Sequence, residues 1–143
     1  MVYLVENNIK KWTEAVINHV WQVAKFNLMK AKSKILKSLN AELICVLLWN
    51  SPEYIITLAQ QDNLLNPLCV NIVNCEPKIK EEHQRQRIIF GLCELMLMRE
   101  KPAEVMPFLP KFFNLMINLV KKNCEVRLDD SCDENYETDS EED

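Results

Sequence analysis

Histidine and cysteine are the residues of this sequence whose chemistry could support catalysis or metal binding. The two histidines, His19 and His83, lie on different predicted helices, and we expect His19 to pack in the core. His83 and Cys93 share one predicted helix, but their spacing corresponds to about 15 Å of helix, too far for a nucleophile and its base. The cysteine and histidine spacings do not match zinc sites. We therefore predict a protein that is not an enzyme and that holds no metal and no cofactor.

The single glycine of the chain, Gly91, excludes further kinds of site. Gly-rich phosphate-binding loops are absent, and the hairpins of sheet-rich folds would also need glycines with positive φ. Gly91 lies within a predicted helix, where it costs about 1 kcal/mol relative to alanine. We expect that a neighbouring helix approaches closely at this position.

The cysteines are even in number, but they lie mostly in apolar helical runs, and no C-x-x-C motif or signal peptide is present. We expect reduced, buried thiols of an intracellular protein rather than disulfides. No apolar run approaches the ~20 residues of a membrane span. The six cysteines are Cys45, Cys69, Cys75, Cys93, Cys124 and Cys132.

Hydrophobic periodicity predicts an all-α fold of about six antiparallel helices joined by short links. The helix at residues 81–98 has the clearest amphipathic pattern, and we expect the others to pack around it. The pattern fits a compact bundle or three stacked hairpins of a HEAT-type α-solenoid. The predicted helices cover residues 9–28, 33–49, 52–61, 64–75 and 81–98, and a last one begins between Pro107 and Pro110 and ends near Lys122.

Charge divides the chain into a helical segment, 1–124, and an acidic segment, 125–143. The first carries 16 basic and 11 acidic residues, and the second carries 1 basic and 10 acidic residues, which sum to the net charge of −4. With so few apolar residues, 125–143 is predicted to be a disordered interaction tail. The lysine-rich stretch 30–37 lacks interleaved aromatic residues or arginines, so we predict a solvated helix junction there rather than a nucleic-acid site.

The acidic tail supplies the candidate functional residues. Its carboxylates would attract basic proteins through long-range electrostatics. Ser131, Thr138 and Ser140 each precede an acidic residue by three positions, the pattern of acidophilic kinases of the casein-kinase-two type, and are candidate phosphorylation sites. The candidate cargo-binding residues are Asp129, Asp130, Asp133, Glu134, Glu137, Asp139, Glu141, Glu142 and Asp143.

One local motif lies in the helix at 81–98. His83-x-Arg85 followed by Gly91-Leu92-Cys93 resembles, without a gap, the H-D-R-K-x-C-x-L-G-L-C segment near the C-terminal end of importin-beta-superfamily transport receptors. The resemblance is to the branch of importin seven and importin eight.

Other parts of the chain follow the same order as this family. Residues 43–58 are similar to its apolar helix, Asn-Pro break and short Leu-rich helix, and residues 105–120 are similar to its next helix. Among the positions where the sequence differs from the motif are Gln84 and Gln86, where the family has aspartate and lysine.

The resemblance implies a C-terminal HEAT-repeat segment of a nuclear transport receptor, with an armadillo-type fold. The implied function is protein transport between cytoplasm and nucleus, with basic cargo such as histones and ribosomal proteins and another import receptor as a further partner. It implies no Ran binding by this segment alone, and no direct contact with nucleic acid or membrane. An apolar end face is expected on the helix that carries Trp12 and Trp21. The alternative is a stand-alone helical adaptor or regulatory protein without transport activity.

Overall fold

The computed structural model describes the backbone of residues 13–136 and the side chains of residues 13–125. Within this part the chain is all-α, as predicted, without a strand, while the finer solenoid arrangement stays a prediction. Two short 3-10 turns, Glu76–Lys78 and Met106–Phe108, connect the later helices. Residues 13–136 form six helices: α1 (Glu14–Lys30), α2 (Lys34–Asn50), α3 (Pro52–Gln61), α4 (Leu65–Val73), α5 (Glu82–Leu97) and α6 (Leu109–Tyr136).

Local sequence signals explain where several helices begin. The side chains of Thr13 and Ser33 accept hydrogen bonds from backbone N–H groups in the first turns of α1 and α2. Proline occupies the first position of α3, directly after Ser51, as predicted. Glu81 and Gln84 form a capping box at the start of α5.

Helix α2 lies at the centre of the fold. Every residue from Asn40 to Leu48 is buried, because α1, α3, α4 and α5 surround this helix. The expectation that residues 81–98 form the centre is wrong: α5 packs along α2 on one side and against α6 on another. A helix that is apolar all round is buried on all sides, whereas α5 carries a polar face.

The closest approach of two helix backbones occurs at Gly91. A Cβ atom at this position would lie 2.2 Å from the carbonyl oxygen and 2.7 Å from the Cα atom of Cys45 on α2. Real Cβ atoms do not approach backbone atoms so closely, so only glycine fits here without a shift of the helices. The predicted reason for Gly91 is confirmed.

Helix α1 faces the core with most of the residues that the periodicity predicts, but not with all of them. Trp21 is fully buried, and its indole N–H donates to Asp62 at 2.9 Å, so it is not part of an exposed end face. His19 is exposed, which contradicts its predicted place in the core. The periodicity predicts Val16, Val20 and Trp21 on the apolar side; Val20 and Trp21 are buried, whereas Val16 is 42% exposed, and His19 lies on the exposed side. Trp12 lies outside the described residues.

The cysteines in the described region are free thiols. Cys45, Cys69 and Cys75 are buried as predicted, but Cys93 is half-buried and Cys124 is exposed on α6. Cys124 does not meet the prediction because its spacing places it on the same side of α6 as the exposed Ile117 and Val120. Cys132 falls outside the described side chains.

Helix α6 continues to Tyr136, past the predicted end near Lys122 and past the predicted boundary after residue 124. Residues 137–143 lie outside the described region, so the disorder of the tail stays a prediction. None of the helices in the described region combines the length and apolar character that crossing a membrane requires.

Candidate protein-interaction surfaces

An apolar stripe follows the outer side of α6. Phe113, Ile117 and Val120 are 55%, 42% and 46% exposed, and their spacing places them on one side of the helix. The opposite side is buried against the rest of the fold through Phe112 and Leu119. A surface helix normally has one apolar face, so the second face of α6 is apolar surface without a partner in the described region.

A second exposed apolar surface lies where α1 ends and α2 begins. Phe26 and Met29 of α1 are more than half exposed, and so is Ile35 in the first turn of α2. Leu36 and Leu39 are also exposed, although the pattern predicts them on the buried face of α2. The structure therefore differs from the prediction at the start of α2, where continuous burial begins only at Asn40. We name these five residues the α1–α2 face.

The two apolar surfaces belong to opposite ends of a series of packed helices. Helix α1 packs on α2, α2 packs on α5, and α5 packs on α6. The first and last members of this series each expose apolar side chains. Sequence periodicity could identify the apolar residues but not which of them would lack a neighbour.

A buried ion pair fixes the start of α5 on α2. Glu42 is only 2% exposed, and one of its carboxylate oxygens accepts a hydrogen bond from Arg87 at 2.5 Å. Its other oxygen accepts from the side-chain amide of Gln84 at 3.3 Å, and Gln84 in turn accepts from the backbone N–H of Glu81. The carboxylate is therefore fully engaged in structure and is not available as a catalytic base. Sequence reasoning overlooked Glu42; its position as the single acid within an apolar helix was the available signal.

The first turns of α5 also hold α6. Arg85 is buried, its Nε donates to the side-chain oxygen of Asn123, and its Nη1 donates to the carbonyl oxygen of Lys80 at 3.0 Å. Arg85 thus has a structural role at the start of α5. His83 is exposed, on the rim of a groove of about 420 Å³ that runs beside Leu36 and Leu39.

A groove with a basic lining separates the start of α2 from α4 and the turn Glu76–Lys78. It has a volume of about 690 Å³, and its charged lining residues are Lys34, Lys37 and Lys78, with no acidic residue among the lining. None of these three lysines forms an ion pair with another described residue. Val70 supplies exposed apolar surface in the same groove. The predicted lysine-rich helix junction is confirmed, and two of its lysines line this groove, which we name the lysine groove.

The structure gives no side-chain geometry for the predicted cargo-binding and phosphorylation residues. The backbone of Asp129, Asp130, Ser131, Asp133 and Glu134 is part of α6, and the remaining ones, from Glu137 onward, lie outside the described region. Among the described residues no group of three or more His, Cys, Asp or Glu side chains could hold a metal ion. Comparisons of the chain with protein-family models, curated proteins and solved structures gave no significant match.

Proposed function

We propose that this chain is a non-catalytic, protein-binding segment of an importin-like nuclear transport receptor that helps to import basic cargo. It acts in the cytoplasm and the nucleus, and it does not bind Ran by itself. The acidic residues between Asp129 and Asp143 attract the cargo, and the helical part joins the segment to the rest of a receptor or to a second import receptor.

The observation that carries this proposal is the pair of apolar surfaces on the end helices α1 and α6. Each unit of a helical repeat array buries its apolar faces against the units before and after it, so an isolated piece exposes both. A self-contained adaptor would be expected to close its apolar faces internally. The motif around Gly91 adds support, since its glycine lies at the contact between α2 and α5.

The test is a binding titration with a histone as the basic partner. We expect the full chain to bind, and the affinity to fall at least about tenfold when NaCl rises from 50 to 300 mM, because exposed charges are screened over a few ångströms at high salt. Deletion of residues 125–143 should abolish binding. A second variant replaces the nine candidate tail acids by their amides, which removes charge without shortening α6, and should have the same effect.

The matched control neutralises exposed acids of the helical part, in the variant E14Q/E53Q/E100Q. This control should keep most of the affinity, because its charges are spread over separate parts of the fold. Histone binding that survives both tail variants would refute the role of the tail in cargo binding.

A further inference from the structure

The lysine groove has a strongly one-sided charge. Lys34 and Lys37 reach it from α2, and Lys78 reaches it from the 3-10 turn on the other side. Because the groove lining contains no acid and these lysines have no ion-pair partner among the described residues, their positive potentials add. A ligand for this groove must be acidic and extended enough to reach both sides.

We propose that residues 137–143 of the same chain bind in the lysine groove. This segment, Glu-Thr-Asp-Ser-Glu-Glu-Asp, carries five acidic residues and no basic one. The docking does not depend on the proposed transport function. If both hold, basic cargo and the lysine groove compete for the same carboxylates.

The path of α6 brings this segment to the correct side of the fold. Asn123 contacts Arg85 near the start of α5, and Lys122 lies 3.7 Å from Glu76, two positions before Lys78. Between Lys122 and Tyr136 the helix rises about 21 Å. Residues 137–143 span up to about 24 Å when extended, so the C-terminal end of this segment can return along the helix to the level of Lys78.

The connection within one chain favours this occupant over a separate acidic peptide. A tethered segment has an effective concentration in the millimolar range, so an affinity in the millimolar range is enough to fill the groove, whereas a free peptide would have to reach that concentration in solution. Exposed ion pairs are individually weak, and three of them together correspond to roughly a tenfold change in affinity.

The experiment compares backbone amide NMR spectra of the full chain and of a chain that stops after Tyr136. We expect shift differences concentrated at Lys34, Lys37, Asn71 and Lys78, which disappear at 500 mM NaCl. A synthetic peptide of residues 137–143, added to the shortened chain, should restore the full-chain shifts. The peptide with amides in place of its carboxylates should not restore them.

Lysine variants of the shortened chain test the location. K34A/K37A/K78A should bind the peptide about tenfold more weakly, while K80A/R99A/K121A, which removes the same charge from exposed positions elsewhere, should bind it normally.

If truncation impairs folding, the full chain with the five acids of 137–143 changed to amides replaces the shortened chain. Equal binding by the two lysine variants, or an absence of shift differences, would overturn the proposal. Shift differences that grow with protein concentration would also overturn it, since they would indicate a second copy as the occupant.

Discussion

The absence of a Cβ atom at Gly91 allows α5 to approach Cys45 on α2 closely. Replacing Gly91 by alanine would add a Cβ atom 2.2 Å from a backbone oxygen, and backbone cannot rotate away as a side chain does. The helices must move apart by about 1 Å, and overpacking of this kind costs typically 1–3 kcal/mol. Intrinsic helix propensity opposes the loss by about 1 kcal/mol in favour of alanine. We expect Gly91→Ala to lower the free energy of unfolding by about 1 kcal/mol, measured by urea denaturation.

Leu97→Ala on the same helix provides the control, because Leu97 is 76% exposed and its truncation should change stability little. An increase of about 1 kcal/mol in the free energy of unfolding of Gly91→Ala would show that α2 and α5 separate without cost. In that case helix propensity would outweigh the close contact, and the steric reason for the glycine would be incorrect.

Single residues also show how far the sequence alone was informative. The reason for Gly91 was predictable because a lone glycine weakens a strong helix unless a close backbone contact requires it. The burial of Trp21 and the exposure of His19 were not, because a helix that is apolar over a wide arc leaves its rotation to the neighbouring helices. Glu42 needs a partner, but the identity of that partner, Arg87, depends on how α2 and α5 cross.

Among the helices, the number and approximate bounds followed from periodicity, prolines and caps. The central place of α2 did not follow, because continuous apolar character indicates burial without naming the neighbours. The extension of α6 to Tyr136 was unexpected because the acidic composition after Lys122 favours a disordered chain. The sequence identifies the residues of the candidate surfaces as apolar, but it does not show that they lack a packing partner in the fold.

The apolar stripe of α6 leads to a prediction about association. If it is a contact surface, the isolated chain should self-associate at high concentration, and I117E/V120E should weaken this association by at least about tenfold, because each contact loses apolar burial and gains a charge. Sedimentation velocity under reducing conditions measures the effect. N114E/N118E, which adds the same charges at exposed polar positions of α6, is the matched control. If both variants associate equally strongly, the apolar stripe of α6 is not part of the association interface.

The whole chain combines residues 1–124, of net charge +5, with residues 125–143, of net charge −9, from the counts of 16 against 11 and 1 against 10. Composition alone revealed this division. The groove that gathers Lys34, Lys37 and Lys78 was hidden, because Lys78 is far from the others in sequence and meets them only through the packing of α2, α4 and the turn. A surface that is formed by segments distant in sequence can be recognised only once the fold is known. A separation of charge along the chain can be recognised from the sequence alone.

The buried thiols make the stability of the whole fold depend on alkaline pH. Burial raises the pKa of Cys69 and of Cys75 to about 12, and burial also raises the pKa of Cys45. In the unfolded chain a thiol ionises from about pH 8.5 upward, whereas the folded protein keeps these protons. The unfolded state therefore binds fewer protons in this range, and the free energy of unfolding falls as pH rises above about 8.5.

Three such thiols should lower the unfolding free energy by about 4 kcal/mol between pH 7.5 and 9.5, with little change between pH 6.5 and 7.5. Urea denaturation under reducing conditions at each pH measures the slope. The variant C69A/C75A should be less stable at every pH, because the substitutions leave cavities. Its unfolding free energy should fall between pH 7.5 and 9.5 by only about a third as much as that of the unaltered chain, since one of the three buried thiols remains. The control Cys124→Ala replaces an exposed cysteine, and its unfolding free energy should fall with pH as much as that of the unaltered chain. A slope that is the same in C69A/C75A and in the unaltered chain would assign the alkaline loss to other groups.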